Sequence, residues 1–125
     1  MLCMATETRA LETQLRKGVA PYCALARIAE GPQYGYDLAR ALAEAGLVAG
    51  SGSVYPLLGR LKADGLVDSA WHPPADGGVP RKYYTLTPAG RAALEAFRRQ
   101  WQVLAAGVER LLGAAVAGGE RGGAG

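Results

Sequence analysis

At 125 residues the chain has room for one domain with short tails. Half of its residues are apolar, enough for a core, and a net charge of +3 permits nucleic-acid binding without demanding it. Two cysteines, Cys3 and Cys23, and one histidine, His72, exclude a disulfide framework and any zinc site built on two or three histidines.

The N-terminus turns polar at once and has no basic segment followed by an apolar stretch, so no secretory signal is expected. No run of about eighteen apolar residues is present to span a membrane. The expected compartment is the cytoplasm. Neither a cofactor nor a metal is expected. Catalysis has no visible apparatus either. No nucleophile stands with a base, no glycine-rich phosphate loop follows a strand, and Asp64, Asp68 and Asp76 are scattered.

Residues 6–17 read as a weakly apolar helix, with Leu11 and Leu15 one turn apart. A second helical stretch covers 19–30. Pro21 lacks a backbone donor, so this helix is expected to begin near Gly18 or to kink there. Gly31-Pro32 ends it. The next helix covers 35–45, with Leu38, Ala41, Leu42 and Ala45 on one face and Gly46 as its stop. After a short loop, Ser51 or Ser53 is expected to cap a third helix running to about Asp64. Val54, Leu57, Leu58 and Leu61 form its buried stripe. Residues 66–72 read as a strand, 73–80 as a turn rich in Pro and Gly, and 81–86 as a return strand. Alternation separates Tyr83 from Tyr84, so one of the two belongs to the core. Thr87 caps a last helix with Pro88 at its first position.

In that helix Leu94, Phe97, Trp101, Leu104, Val108 and Leu111 are spaced 3-4-3-4-3. Such a seam lasts about two and a half heptads and is expected to pack against the same helix of a second copy. The tail GGERGGAG is too rich in glycine to bury apolar surface and is expected to be disordered.

Two helices joined by a tight turn and followed by a β-hairpin describe a winged helix-turn-helix. The expected fold is mainly α with a small β-hairpin, plus a C-terminal dimerisation helix. The expected division is an N-terminal arm or helix over 1–17, the winged domain over 18–86, the dimerisation helix over 87–113 and the tail over 114–125.

The third helix offers Ser53, Pro56 and Arg60 on its free face, with Tyr55 and Lys62 at the edges. A helix that enters the major groove needs a small or hydroxylated N-terminal end, which Ser51 and Ser53 supply. Arg60 suits a phosphate or a guanine edge. Arg81 and Lys82, at the start of the second hairpin strand, suit phosphates or the minor groove. Tyr36 on the preceding helix is placed with them as a candidate contact.

Four segments resemble the PadR family of bacterial transcriptional regulators. Residues 31–38, GPQYGYDL, are similar to the family's GPxYGYEL. Residues 52–61, GSVYPLLGRL, are similar to GTLYPLLxRL, and residues 81–90, RKYYTLTPAG, to RKYYxLTxxG. Trp101 falls where many members carry a tryptophan in the last helix. The resemblance covers about Leu15 to Leu112, and the short C-terminal helix resembles the smaller subgroup. It implies a homodimeric, ligand-responsive repressor on a pseudo-palindromic duplex operator. It also implies a planar aromatic effector between the last helices, near Trp101, with Tyr22 and Phe97 as candidate lining. The pattern is broken at Gly59, where relatives usually carry Lys or Arg, and this removes a charge from the reading helix. Two alternatives stay open: a winged-helix protein-interaction module, and a carrier of aromatic small molecules without a DNA role.

Overall fold

The computed structural model describes the backbone of residues 2–124 and the side chains of residues 8–113. The expectation of a disordered tail over 114–125 lies outside the residues whose side chains are described. The chain falls into two compact units, Met1–Leu94 and Glu95–Gly125.

In the first unit, helix α1 spans Leu2–Ala29 without interruption, where two separate helical stretches were expected. Pro21 deprives the helix of one hydrogen bond, to the carbonyl of Lys17, and that turn carries the exposed Lys17 and Gly18. On its other side Ala24, Leu25 and Ile28 are buried, and this packing holds the helix together across the missing bond. A two-residue strand β1, Gln33–Tyr34, leads into α2, Gly35–Glu44. A 3₁₀ turn over Ser51–Ser53 opens α3, Val54–Ala63. Strands β2, Val67–His72, and β3, Arg81–Leu86, form the wing. Helix α4, Pro88–Ala124, begins in the first unit and continues into the second.

The sheet has three strands in the order β1-β3-β2, all antiparallel, rather than the lone hairpin expected. Strand β1 is too short to show a period of two, which is why its sequence carried no strand signal. It pairs Gln33 with Tyr84 and Tyr34 with Tyr83. The wing is thereby bonded to the residues that begin α2.

Helices α2 and α3 end by the same device. Gly46 and Gly65 each adopt a φ of +77°, which lets the next residue reach back to the helix. Leu47 N–H donates to the Leu42 carbonyl at 3.0 Å, and Leu66 N–H to the Leu61 carbonyl at 2.9 Å. The core under both helices is apolar: Leu25, Ile28, Leu38, Leu42, Val54, Leu58 and Val67 are fully buried. Leu57, expected in the buried stripe of α3, is only half-buried.

The start of α4 is clamped to the end of α3. Thr87 Oγ1 accepts the Gly90 N–H at 3.0 Å and donates to the Gly65 carbonyl at 2.7 Å. The Thr87 N–H donates to the Leu66 carbonyl at 3.1 Å. Gly90 lies so close to the Leu66 carbonyl that a Cβ there would collide with backbone. By contrast, a Cβ on Gly18 in α1 would meet nothing within 4 Å. Gly90→Ala should therefore destabilise the fold by about 1–3 kcal/mol. Gly18→Ala should raise stability by about 0.5–1 kcal/mol through helix propensity. Thermal unfolding followed by circular dichroism checks the pair; a Gly90→Ala protein as stable as the unaltered one would show that helix and strand do not meet this closely.

Candidate nucleic-acid interface

Helix α3 is half committed to the core. Val54, Leu58 and Leu61 are buried. Opposite them, at helical spacing, the exposed line reads Gly52, Pro56, Gly59, Ala63. All four are small or compact, so the centre of the outer face is low and nearly featureless. A Cβ on Gly59 would meet nothing within 4 Å. The polar residues stand on the two flanks. Arg60 borders a groove of about 460 Å³ between α1 and α3, together with Arg16, Lys17 and Pro56. Tyr55 and Lys62 lie on the flank toward the wing.

The two serines at the start of the helix do not act as the caps that were expected. Ser53 precedes α3 but makes no capping bond. Its Oγ instead donates to the Gly50 carbonyl at 2.7 Å. Its backbone, at φ −74° and ψ −10°, is already helical, whereas a capping residue needs an extended backbone to turn its oxygen toward the first amides. Ser51, inside the 3₁₀ turn, is exposed.

Arg81 and Lys82 were expected to act together, yet strand alternation sends them to opposite faces of the wing. Lys82 pairs with Trp71 across the strands, and its Nζ lies 5.7 Å from that ring's centre. Ser69 and Tyr84 share this face, and Lys62 Nζ donates to Ser69 Oγ at 2.7 Å. Arg81 pairs with His72 on the other face, its guanidinium 5.1 Å from the Tyr34 ring centre. Tyr36 is exposed, its ring tilted against that of Tyr34 with centres 6.0 Å apart.

Of the two wing tyrosines, Tyr84 is the core residue, 7% exposed, while Tyr83 is half-buried. Burial, and then the neighbouring Tyr55, push the Tyr84 hydroxyl pKa above its usual value. Burial likewise raises the Cys23 thiol pKa, and Cys23 packs against the core.

The expected dimer seam divides. Leu94 is 3% exposed and packs in the core of the first unit, so it cannot face a partner. In the second unit Trp101 is 41% exposed and Leu111 is 78% exposed, with Leu104 and Val108 also open. Leu112, which the heptad reading passed over, falls on the same helical face and is exposed too. The Phe97 and Trp101 rings stack, their centres 5.8 Å apart. Tyr22, half-buried on α1, belongs to the first unit. Among the described residues no cluster of His, Cys, Asp or Glu could hold a metal ion, and no helix is long and apolar enough to cross a membrane.

Residues 24–96 match the transcriptional regulator PadR-like family. A curated transcriptional regulator of Mycobacterium tuberculosis is 40% identical over 77 residues, covering 62% of this chain and 70% of that protein. A PadR family regulator of known structure from Eggerthella lenta superposes with a TM-score of 0.72 at 34% identity, covering 90% of this chain and 97% of the other. A PadR-like regulator from Bacillus cereus has a TM-score of 0.72 at 35% identity, over 79% of this chain and 96% of its own. The structure of Bacillus subtilis PadR in complex with operator DNA has a TM-score of 0.56 at 27% identity, covering 63% of this chain and 46% of that one.

Because the outer face of α3 is open at Gly59, a side chain there should fold without resistance. Gly59→Ala is expected to stabilise the protein by about 1 kcal/mol, the propensity difference in an exposed helix interior. A fall in melting temperature would mean that this face is covered in the free protein.

Proposed function

The chain belongs to the PadR-like family of transcriptional regulators, and from that premise we propose that it is a homodimeric repressor whose α3 reads the major groove of a pseudo-palindromic operator. The single observation that carries the reading is the outer face of α3. It is a low line of small residues flanked by Arg60 on one side and by Tyr55 and Lys62 on the other. A groove floor can approach such a line closely, while the flanking cations meet the two phosphate backbones. The operator complex of the Bacillus subtilis relative supports the same use of the fold. Ser51, Ser53 and Pro56 stand at the end of α3 that enters the groove, and Tyr36 and Arg81 lie farther toward its margins.

The proposed division of labour follows the two units. Residues 18–86 bind DNA, and α4 beyond Leu94 pairs two copies. A solitary helix cannot bury Trp101, Leu104, Val108, Leu111 and Leu112 by itself, and a second copy brings an identical stripe to cover them. Two-fold symmetry then sets the half-sites about one helical turn apart. A planar aromatic effector would fit between the paired helices, stacked on Trp101 and Phe97. It would act by favouring one spacing of the two reading helices over the other.

A footprint on the DNA upstream of the protein's own gene tests the reading directly; protection that appears nowhere along that DNA counts against it. Within it, Lys82→Ala should lower the magnitude of the salt slope of DNA binding by about one unit and weaken all sequences alike. An unchanged slope removes Lys82 from the contacts. Replacing Leu104 and Val108 together with Glu should give monomers by light scattering and abolish quenching of Trp101 by planar aromatic dyes. A double variant that stays dimeric would place the interface elsewhere.

A further inference from the structure

Trp71 is 66% exposed, on a strand whose inner end is core. A lone exposed ring is ordinary on a protein surface, so what Trp71 can do depends on the residues around it. The sheet register states what surrounds it. Val67 pairs with Leu86, Ser69 with Tyr84 and Trp71 with Lys82, so these six side chains share one face of the wing. That face begins in the core at Val67 and Tyr84. At Ser69 it comes level with α3, where Lys62 Nζ bonds to the serine hydroxyl. Trp71 stands two residues farther out, roughly 7 Å along the strand. It therefore extends the wing-side flank of the reading helix. Lys82 lies over its ring, with Nζ 5.7 Å from the centre.

The charge on this face is of one sign. Lys82 lies beside Trp71, Lys62 is bonded to Ser69 two residues inward, and none of the six strand residues is acidic. The nearest strand carboxylate, Asp68, pairs with Thr85 on the opposite face. Two lysines, one bonded to a hydroxyl and one beside the rings of Trp71 and Tyr84, together with an exposed amphipathic indole, suit a sugar-phosphate backbone. The ammonium groups meet phosphate oxygens, the indole face covers deoxyribose, and its N–H can donate to a phosphate.

We propose that Trp71 is a DNA-contacting residue, packing against the backbone of duplex DNA beside the groove that α3 occupies. The proposal deepens the DNA-binding reading above and rests on it. It adds a contact that carries no charge of its own. Its loss should weaken binding without altering the salt dependence, the reverse of a lysine's signature.

The test uses the full-length protein and a fluorescein-labelled, mixed-sequence duplex of roughly three helical turns at low salt. Anisotropy of the label reports binding, and tryptophan emission reports the contact independently. Trp71→Ala should weaken binding about tenfold, the scale of one well-packed aromatic contact, with an unchanged salt slope. Trp71→Phe should recover most of that loss. The unaltered protein should show a change in tryptophan emission on adding duplex, and Trp71→Phe should not. Because the side chain is exposed, both variants should melt within a few degrees of the unaltered protein, which separates a lost contact from a lost fold. If the duplex binds but tryptophan emission is unmoved, or Trp71→Ala binds as tightly as the unaltered protein, the proposal is overturned while DNA binding stands. The exposed ring would then face a protein partner instead. If no duplex is bound even at low salt, the proposal and the DNA-binding reading fall together.

Discussion

The seating of Tyr84 sets the direction of the wing. Its strand is the middle one of the sheet, bonded to β1 on one side and β2 on the other. Its ring packs so near Gly35 that a Cβ there would stand 3.2 Å from it, and Tyr55 of α3 lies against the same point. Three elements therefore meet at one phenol: the start of α2, the flank of α3 and the centre of the sheet. Side chains alternate along a strand, so burying Tyr84 decides where every other wing residue points. A slip of one residue in β3 would bury Tyr83 and turn Lys82 away from α3.

Helix α3 is built by a related economy of side chains. Its buried stripe needs only Val54, Leu58 and Leu61, because α1 and α2 supply the rest of the core. The outer line is then free to be small, and the charges move to the flanks. Phosphate contacts from flanking residues orient a helix on the duplex without carrying sequence information, whereas base edges are read at close range. In the proposed complex Gly59 shifts the balance toward the second. A lysine there would have added long-range attraction at the expense of a bulkier helix face.

Helix α4 serves two ends with one continuous backbone. Its first turns belong to the first unit, where Thr87 joins it to the end of α3 and Leu94 enters the core. Beyond Glu95 it carries an apolar stripe that its own unit leaves open. Within the first unit, Thr87 is bonded directly to the residues that terminate α3.

Much of this was legible in the order of the residues. The helices around Leu38 and Leu58, the strand over 81–86 and the Thr87-Pro88 start of α4 follow from local spacing, capping chemistry and turn residues, which act within a few positions of one another, and the PadR-like segments were legible by resemblance. What only the tertiary structure decided involves residues far apart in the chain. Strand β1 exists because β3 offers it a partner. Pro21 does not break α1, because packing at Ala24, Leu25 and Ile28 outweighs one missing hydrogen bond. Leu94 fits a heptad as well as Leu104 does, yet one is core and the other exposed, since periodicity reports a shared face and not what covers it. The same limit kept Tyr83 and Tyr84 indistinguishable, and with them the facing of Lys82 and the standing of Trp71. Alternation supplies two faces, and only the packing of Tyr84 over Gly35 chooses between them.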